Sequence, residues 1–147
     1  MGKYVSNLKG DASMKFYVAS SFANIEQVRE LSDELKLEGF VHTYDWTQNE
    51  RANSLEALSF IGENEKQAVA GSDFLVVVLP AGKGSHIELG IALGVGKRVY
   101  LYSPTNEIYE HDKTSTFYHV EGVNKFVGTF DSFKKYLVKQ EKKIEMV

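Results

Sequence analysis

The sequence contains no cysteine, only two prolines and no apolar run long enough to cross a membrane. Without cysteine the chain has no disulfide, no thiolate metal ligand and no thiol nucleophile, and a reducing compartment is expected. A membrane-spanning helix needs about 20 consecutive apolar residues, and no apolar signal core stands near the first residues. We therefore expect a cytoplasmic protein with no membrane partner.

Positive charge is also in short supply. The 147 residues carry 17 Lys and Arg against 20 Asp and Glu, and no basic cluster precedes the C-terminal lysines. This balance argues against a protein that holds a nucleic acid polymer by its phosphates. The four histidines lack the spacing of metal ligands, so we expect neither a metal nor another cofactor. They are His42, His86, His111 and His119.

What the chain does contain is typical of one globular domain, since 43% of its residues are apolar and 25% are charged. Residues 1–13 are polar without clear periodicity and are expected to form an N-terminal extension. Residues 14–140 alternate between β-favouring runs and helical spacing, which predicts one α/β domain. Residues 141–147 are expected to be a charged tail.

Apolar strands alternate with amphipathic helices along this domain. The predicted strands cover residues 15–19, 41–44, 74–79, 98–102 and 124–127. Four helices are predicted. Three of them are expected to be capped by Asn24, Asn53 and Asp131, and the last of these three reaches about Gln140. The fourth helix spans residues 85–94. This alternation predicts a doubly wound, five-stranded parallel sheet of flavodoxin or Rossmann-like type, with strand order 2-1-3-4-5 and helices on both faces. In such sheets ligands bind beyond the carboxyl ends of the strands, near the switch between strands 1 and 3.

The stretch 74–102, FLVVVLPAGKGSHIELGIALGVGKRVYLY, runs from an apolar strand through a glycine turn into an apolar helix and a second strand. Glu88 lies in the first turn of that helix and is expected at the rim of a water-poor pocket, because the residues after it are apolar almost all round. The alternative is that Glu88 complements the helix dipole, an interaction that stabilises a helix by roughly 0.3–1 kcal/mol. Gly82 and Gly84 expose backbone N–H groups that suit a phosphate or carboxylate ligand, although a tight turn explains them as well.

Two further side chains are candidates for chemistry on their position alone. Glu65 shares a predicted buried stripe with Leu58, Ile61 and Ala68, and a carboxylate on a buried face usually has a partner or a task. The alternative is an edge position from which Glu65 reaches water. Tyr17 lies inside the first strand, where core packing with a satisfied hydroxyl is the commoner outcome.

The loops after the first two strands offer binding residues. Asp45 and Trp46 end the second strand, which suggests an acceptor for a sugar hydroxyl and a stacking face; a turn-forming acid is the alternative for Asp45. Ser20 follows the first strand, so the topology places it near Asp45 and the glycine turn. His86 precedes Glu88 by two residues and points elsewhere, which is more typical of a group that caps the backbone than of a catalyst.

Two segments carry a family resemblance: FYVASSF at the first strand, and AGSDFLVVVLPAGKGSHIELGIALGVGKRVYLY. They resemble the nucleoside 2-deoxyribosyltransferase-like family, which includes deoxynucleoside 5′-monophosphate N-glycosidases, over roughly residues 14–136. The resemblance implies the five-stranded fold, Glu88 as the catalytic nucleophile and Tyr17 as the residue that orients it. It also implies that Glu65 assists departure of the base and that Ser85 helps to hold a 5′-phosphate.

The sequence departs from the family pattern in two places. Glu65 stands where the family usually has an aspartate, and Gly82 stands where many transferases carry a further aspartate, which weakens the case for base exchange. Family members often complete the site with residues of a neighbouring subunit. A homodimer or a higher homo-oligomer is the expected assembly, since isologous pairs are the commonest oligomers.

The expected function is cleavage, by hydrolysis or transfer, of the N-glycosidic bond of a nucleoside or nucleoside 5′-monophosphate. Glu88 would attack the anomeric carbon, and a second carboxyl, Glu65 or Asp45, would protonate the leaving base. The alternatives are a nucleotide-binding or sensor domain without turnover, a glycohydrolase acting on NAD or a similar dinucleotide, and a partner-binding scaffold. Residues 103–119 form a polar and aromatic loop that suits a lid or a dimer contact.

Overall fold

A computed structural model describes residues 13–146 and contains one parallel sheet. Its strands are β1 Lys15–Ala19, β2 Val41–His42, β3 Phe74–Val78, β4 Arg98–Ser103 and β5 Val123–Val127. The strand order β2-β1-β3-β4-β5 and the parallel pairing confirm the predicted topology. Of the predicted N-terminal extension, all but Ser13 lies outside the described residues.

Four α-helices connect and cover the strands. They are α1 Ile25–Leu37, α2 Leu55–Ala70, α3 Lys83–Gly94 and α4 Phe130–Glu145. Right-handed crossovers place α2 and α3 together on one face of the sheet and α1 and α4 on the other. Contacts agree with this, since α2 packs along α3 and Lys134 of α4 forms an ion pair with Glu30 of α1. The fold is thus doubly wound, as expected.

The core centres on β3, whose five residues are all buried, as expected for a strand covered on both faces. Phe74 stands edge-on to both Phe40 and Tyr100, with ring centroids 5.7 and 5.9 Å apart. Burying each large apolar side chain stabilises the fold by about 1.5–3 kcal/mol relative to exposing it. Among residues 13–146 no helix is long and apolar enough to cross a membrane, and the cytoplasmic location stays a prediction.

Several predicted element ends were wrong. Strand β2 has two residues instead of four, because the chain turns at Asp45 into a short 3₁₀ helix, Trp46–Gln48. Helix α2 is capped by Ser54 rather than Asn53, since the Ser54 hydroxyl accepts the Ala57 N–H at 3.0 Å. Asn24 occupies the N-cap position of α1, but its side chain forms no capping hydrogen bond.

Helix α4 also differs from the prediction at both ends. Thr129 rather than Asp131 caps it, accepting the N–H of Ser132. The helix continues to Glu145 rather than stopping near Gln140. The extension has a clear cause, because Glu141 is fully buried and accepts hydrogen bonds from Arg98 and Tyr100 of β4.

The α2–α3 layer is more exposed than the sequence predicts. Leu58, expected in the buried stripe of α2, is 55% exposed, and Leu55 at the start of the helix is 85% exposed. Helix α3, expected to be buried almost all round, leaves Ile87 65% exposed, and Val95 directly after the helix is 53% exposed. Helix α3 packs on the sheet through Leu89 and Ala92, so its opposite side has no cover within the described residues.

Candidate active site

A cavity of about 780 Å³ opens at the carboxyl ends of β1 and β3, where the strand order changes direction. This is the position that the topology predicts for a ligand. Eight of the ten residues proposed from the sequence line it, and Asp45 and His86 do not. The eight are Tyr17, Ser20, Trp46, Glu65, Gly82, Gly84, Ser85 and Glu88.

Glu88 and Tyr17 meet at one wall of the cavity. The Tyr17 hydroxyl donates to Glu88 Oε2 at 2.7 Å, although the two residues are 71 positions apart in sequence. Tyr17 is fully buried in β1, and Glu88 is 8% exposed. Because α3 begins at Lys83, Glu88 lies in its second turn rather than its first. The helix dipole is therefore a poor reason for this acid, since that effect falls off within the first turn.

The surroundings of Glu88 make its proton hard to remove. Burial raises the pKa of Glu88 to about 8, the Tyr17 hydrogen bond opposes that rise, and the nearby charge of Glu65 adds to it. Burial and the neighbouring Glu88 charge also raise the pKa of Tyr17, which stays a protonated donor. The free site therefore holds a proton on or beside Glu88 at neutral pH.

Glu65 supplies the second carboxyl. It is half-buried on α2, lines the same cavity as Glu88, and lies near enough for each carboxyl to influence the pKa of the other. Burial raises the pKa of Glu65, while the contact with Glu88 opposes that rise. Two neighbouring carboxyls that line one cavity are a common arrangement for acid–base and nucleophilic work.

The glycine turn leaves open space at the start of α3. Neither Gly82 nor Gly84 has a positive φ, so the backbone does not require glycine at either position. A Cβ at Gly84 would meet nothing within 4 Å, and one at Gly82 would meet only the Cβ of Ser21 at 4.0 Å. The buried Ser85 hydroxyl accepts the Gly82 N–H at 3.4 Å. The glycines thus keep the helix start accessible, which suits a ligand more than a tight turn.

The loop after β1 is tied directly to the loop after β3. Ser20 Oγ donates to the Val78 carbonyl at 2.7 Å, and Asn24 Nδ2 donates to Ser20 Oγ and to the Pro80 carbonyl. The polar turn that the sequence suggested as a helix cap instead joins the two sides of the cavity. Ser20 therefore lines a wall whose position is fixed by hydrogen bonds.

The loop after β2 forms the opposite wall. Trp46 is 6% exposed and its indole N–H donates to the Val18 carbonyl at 2.6 Å. The Asp45 carboxylate accepts from the backbone N–H and the hydroxyl of Thr47, so it holds this loop instead of facing the cavity. Although burial opposes it, these Thr47 bonds hold the pKa of Asp45 below its usual range. Of the two acids considered for protonating a leaving base, only Glu65 lines the cavity.

Residues that the sequence did not single out complete the cavity. Phe22 is 70% exposed at its mouth and stands edge-on to Trp46, with ring centroids 5.4 Å apart. Residues 49–52, in the predicted polar loop, also line it. Asn49 is oriented by the Tyr44 hydroxyl, which donates to Asn49 Oδ1 at 2.7 Å. No periodicity or motif marks these positions, because a loop contributes them.

Histidine geometry gives no support to a metal site. Among residues 13–146 no three His, Asp or Glu side chains lie together as metal ligands would. Both ring nitrogens of His42 are buried without a hydrogen-bond partner, and the ring stacks on Phe16 at 4.6 Å. His86 contacts the Gly82 carbonyl, as the backbone-capping alternative suggested.

Three solved structures are similar to this chain. The CMP N-glycosidase of Clostridium botulinum is 17% identical with a TM-score of 0.62, covering 84% of this chain and 96% of its own. A 2-deoxyribosyltransferase of Bacillus psychrosaccharolyticus is 23% identical with a TM-score of 0.55, covering 83% and 91%. A conserved protein of Enterococcus faecalis is 17% identical with a TM-score of 0.62, covering 88% and 99%.

At these identities the likeness establishes the shared fold, which is the fold that the family resemblance implies. The alignment extends over nearly the full length of each of the three chains. No protein-family model and no curated protein sequence matches this chain.

Proposed function

We propose that this chain is an enzyme of the nucleoside 2-deoxyribosyltransferase-like type that cleaves the N-glycosidic bond of a nucleoside or nucleoside 5′-monophosphate. One observation carries the proposal: a buried carboxyl, Glu88, is held by Tyr17 beside a second carboxyl, Glu65, in a cavity at the switch of the sheet. Retaining glycosidases use such a pair, one carboxyl as nucleophile and the other as acid and then base. An N-glycosidase and a 2-deoxyribosyltransferase among the similar structures support this chemistry.

A single proton on the carboxyl pair accounts for the first half-reaction. The proton moves to Glu65, and the ionised Glu88 attacks C1′ while the C1′–N bond breaks. Glu65 gives its proton to the departing base nitrogen, so the base leaves neutral and a Glu88 glycosyl ester remains. The Tyr17 hydroxyl keeps the attacking oxygen pointed into the cavity.

Water completes the reaction in the second half. Glu65, now ionised, takes a proton from water as the water oxygen bonds to C1′ and the ester bond breaks. Glu88 leaves as a carboxylate and Glu65 is again protonated, so the pair regains its single proton. We propose hydrolysis rather than base exchange, since Gly82 supplies no carboxylate to hold an incoming base.

The sheet order gives the substrate a direction. Strand β1 lies between β2 and β3, so the loop after β2 and the glycine turn after β3 flank the Tyr17–Glu88 pair. With C1′ at Glu88, the 5′-phosphate extends towards Gly82, Gly84 and Ser85, where free helix N–H groups favour an anion. The base extends the other way, towards the wall formed by Trp46 and its neighbours. A volume of about 780 Å³ is within the usual range for sites that enclose a small ligand.

The decisive experiment is base release from a panel of nucleosides, 5′-monophosphates and NAD. We expect release by the unaltered protein and its loss in Glu88→Gln and Glu88→Ala, with circular dichroism unchanged. Glu63→Gln, the same change at an exposed position of α2, is the matched control and should keep full activity. Full activity in both Glu88 variants would end this mechanism. A thermal shift with nucleotides but no base release would indicate a binding domain without turnover.

A homodimer through the α2–α3 layer is also proposed. Gly90 and Gly94 lie four residues apart on α3, both exposed, and a Cβ at either would meet nothing within 4 Å. Gly90, inside the helix, costs about 1 kcal/mol of helix stability relative to alanine, with no packing gain inside this chain. Exposed Ile87, Leu58 and Phe60 in the same layer supply the apolar area that a second copy would bury.

Sedimentation and light scattering test this surface. We expect a dimer for the unaltered protein and a monomer for Gly90→Leu, because the leucine would separate two closely packed helices. Lys135→Leu adds the same side chain to an exposed position of α4, on the other face of the sheet, and should leave the dimer intact. A monomeric unaltered protein at high concentration would refute the proposed interface.

A further inference from the structure

We infer that His86 is a positioning residue that couples the 103–119 loop to the glycine turn. Its ring joins the two segments: Nδ1 lies 2.7 Å from the Gly82 carbonyl oxygen, and Nε2 lies 2.7 Å from the Tyr118 hydroxyl. The His86 and Tyr118 rings also stack, with centroids 5.8 Å apart. His86 does not line the cavity, and its ring instead links two segments beside it.

The chemistry of these partners fixes the state of the ring. A carbonyl oxygen only accepts, so Nδ1 of neutral His86 carries the proton and donates to Gly82. Nε2 then accepts from the Tyr118 hydroxyl. Both ring nitrogens of His86 are engaged at the same time, and a flip of the ring would lose both contacts.

The loop has few other polar connections to the rest of the domain. Within residues 13–146, the other hydrogen bonds and ion pairs made by side chains of residues 103–119 stay inside the loop, as when His119 contacts Thr114 and the Ile108 carbonyl. Tyr118 is 7% exposed, so its hydroxyl has lost most of its contact with water and depends on His86.

The other ring nitrogen of His86, Nδ1, contacts a peptide group that lines the cavity. The Gly82 carbonyl is held by His86, and the Gly82 N–H is held by the Ser85 hydroxyl. Both polar groups of this residue are therefore fixed, although glycine itself leaves the backbone free to move. A change in the position of the loop reaches the glycine turn through Tyr118 and His86. By reciprocity, a ligand that orders the turn also orders the loop.

Hydrogen exchange tests the coupling without any assumption about activity. Tyr118→Phe keeps the ring and its packing and removes only the hydroxyl. We expect amide exchange to rise about fivefold both in residues 104–119 and in residues 83–86, at the start of α3. A rise confined to the loop, or no rise at all, would overturn the inference.

Two conservative variants distinguish the contact made by Nδ1 from the contact made by Nε2. His86→Asn places an amide N–H near the position of Nδ1 and should protect the glycine turn while the loop loosens. His86→Gln reaches towards Tyr118 and should give the opposite pattern. Equal exchange in both segments for both variants would contradict a two-armed link.

The kinetic consequence rests on the proposed function. If the glycine turn holds a 5′-phosphate, Tyr118→Phe should raise KM for a nucleoside 5′-monophosphate about tenfold, with kcat and the KM of the matching nucleoside within about twofold. A uniform loss on both substrates would indicate a merely structural role and count against the inference. Absence of base release by the unaltered protein would refute the proposed function, and the exchange experiment would still decide the role of His86.

Discussion

The desolvated Glu88 carboxyl should make the protein less stable as pH rises. Its pKa is about 8 in the folded chain, against an ordinary value of 4.5 that applies once the chain unfolds. Between these values the folded protein holds a proton that the unfolded chain has released. The free energy of unfolding therefore falls by about 1.4 kcal/mol per pH unit. The contribution is intact below about pH 4.5 and is lost by about pH 8, a total of about 5 kcal/mol.

Glu88→Gln removes this titration and keeps the shape of the side chain. The amide oxygen still accepts from the Tyr17 hydroxyl. We expect the variant and the unaltered protein to be similarly stable near pH 5. Above about pH 8 the variant should be more stable by about 5 kcal/mol. An active-site substitution that stabilises the fold is the expected sign of a residue kept for reactivity rather than stability.

Urea unfolding across this pH range measures the difference directly. The protein has one tryptophan, Trp46, which is 6% exposed and lies in the cavity wall, so its fluorescence reports unfolding. Glu63→Gln is the control, since that side chain is exposed in a surface ion pair with Lys66. Stability curves that run parallel for Glu88→Gln and the unaltered protein would refute the reasoning. They would show that Glu88 is solvated, and the proton assigned to the carboxyl pair would have no support.

Two further substitutions test the surroundings of the site and of the sheet. Tyr17→Phe removes the hydrogen bond that lowers the Glu88 pKa, so the pH dependence of base release should move to higher pH. The rate of base release at neutral pH should fall about tenfold. An unchanged pH–rate profile would contradict the orienting role. Glu141→Gln weakens a buried ion pair with Arg98 at 2.7 Å and a hydrogen bond from Tyr100. Urea unfolding should show that the free energy of unfolding falls by about 3 kcal/mol, while base release stays unchanged. A fall below about 0.5 kcal/mol would mean that the pair does not hold α4 to the sheet.

The fold was predictable because its signals are local and repeated. The continuous apolar run of β3 indicates a strand buried on both faces, and alternation with helical spacing then leaves few topologies. Helix ends were harder, because a cap depends on one hydrogen bond. Asn53 and Ser54 are both good caps, and Thr129 and Asp131 are too, so only the geometry selects Ser54 and Thr129.

The residues that line the cavity also differ in whether a local sequence signal predicts their position. The glycine turn and Glu88 belong to one strand–helix unit, so their proximity follows from the sequence. The side chain of Asp45 could not be placed in this way. Its predicted position at the end of a strand suits a ligand, but the carboxylate has a nearer partner two residues ahead in Thr47. Phe22 and residues 49–52 reach the cavity through loops, whose course depends on contacts made elsewhere in the fold.

Tyr17 shows why burial and function could not be separated from the sequence. Core packing with a satisfied hydroxyl and orientation of a catalytic acid were weighed as alternatives, yet one geometry is compatible with both. It is fully buried in β1, and the group that satisfies its hydroxyl is Glu88. A buried hydroxyl needs a partner, and a buried carboxyl needs a donor, so each residue meets the requirement of the other. The pairing stabilises the strand–helix contact while it aims the carboxylate, and a substitution that is neutral for packing, such as Tyr17→Phe, is what distinguishes the two contributions.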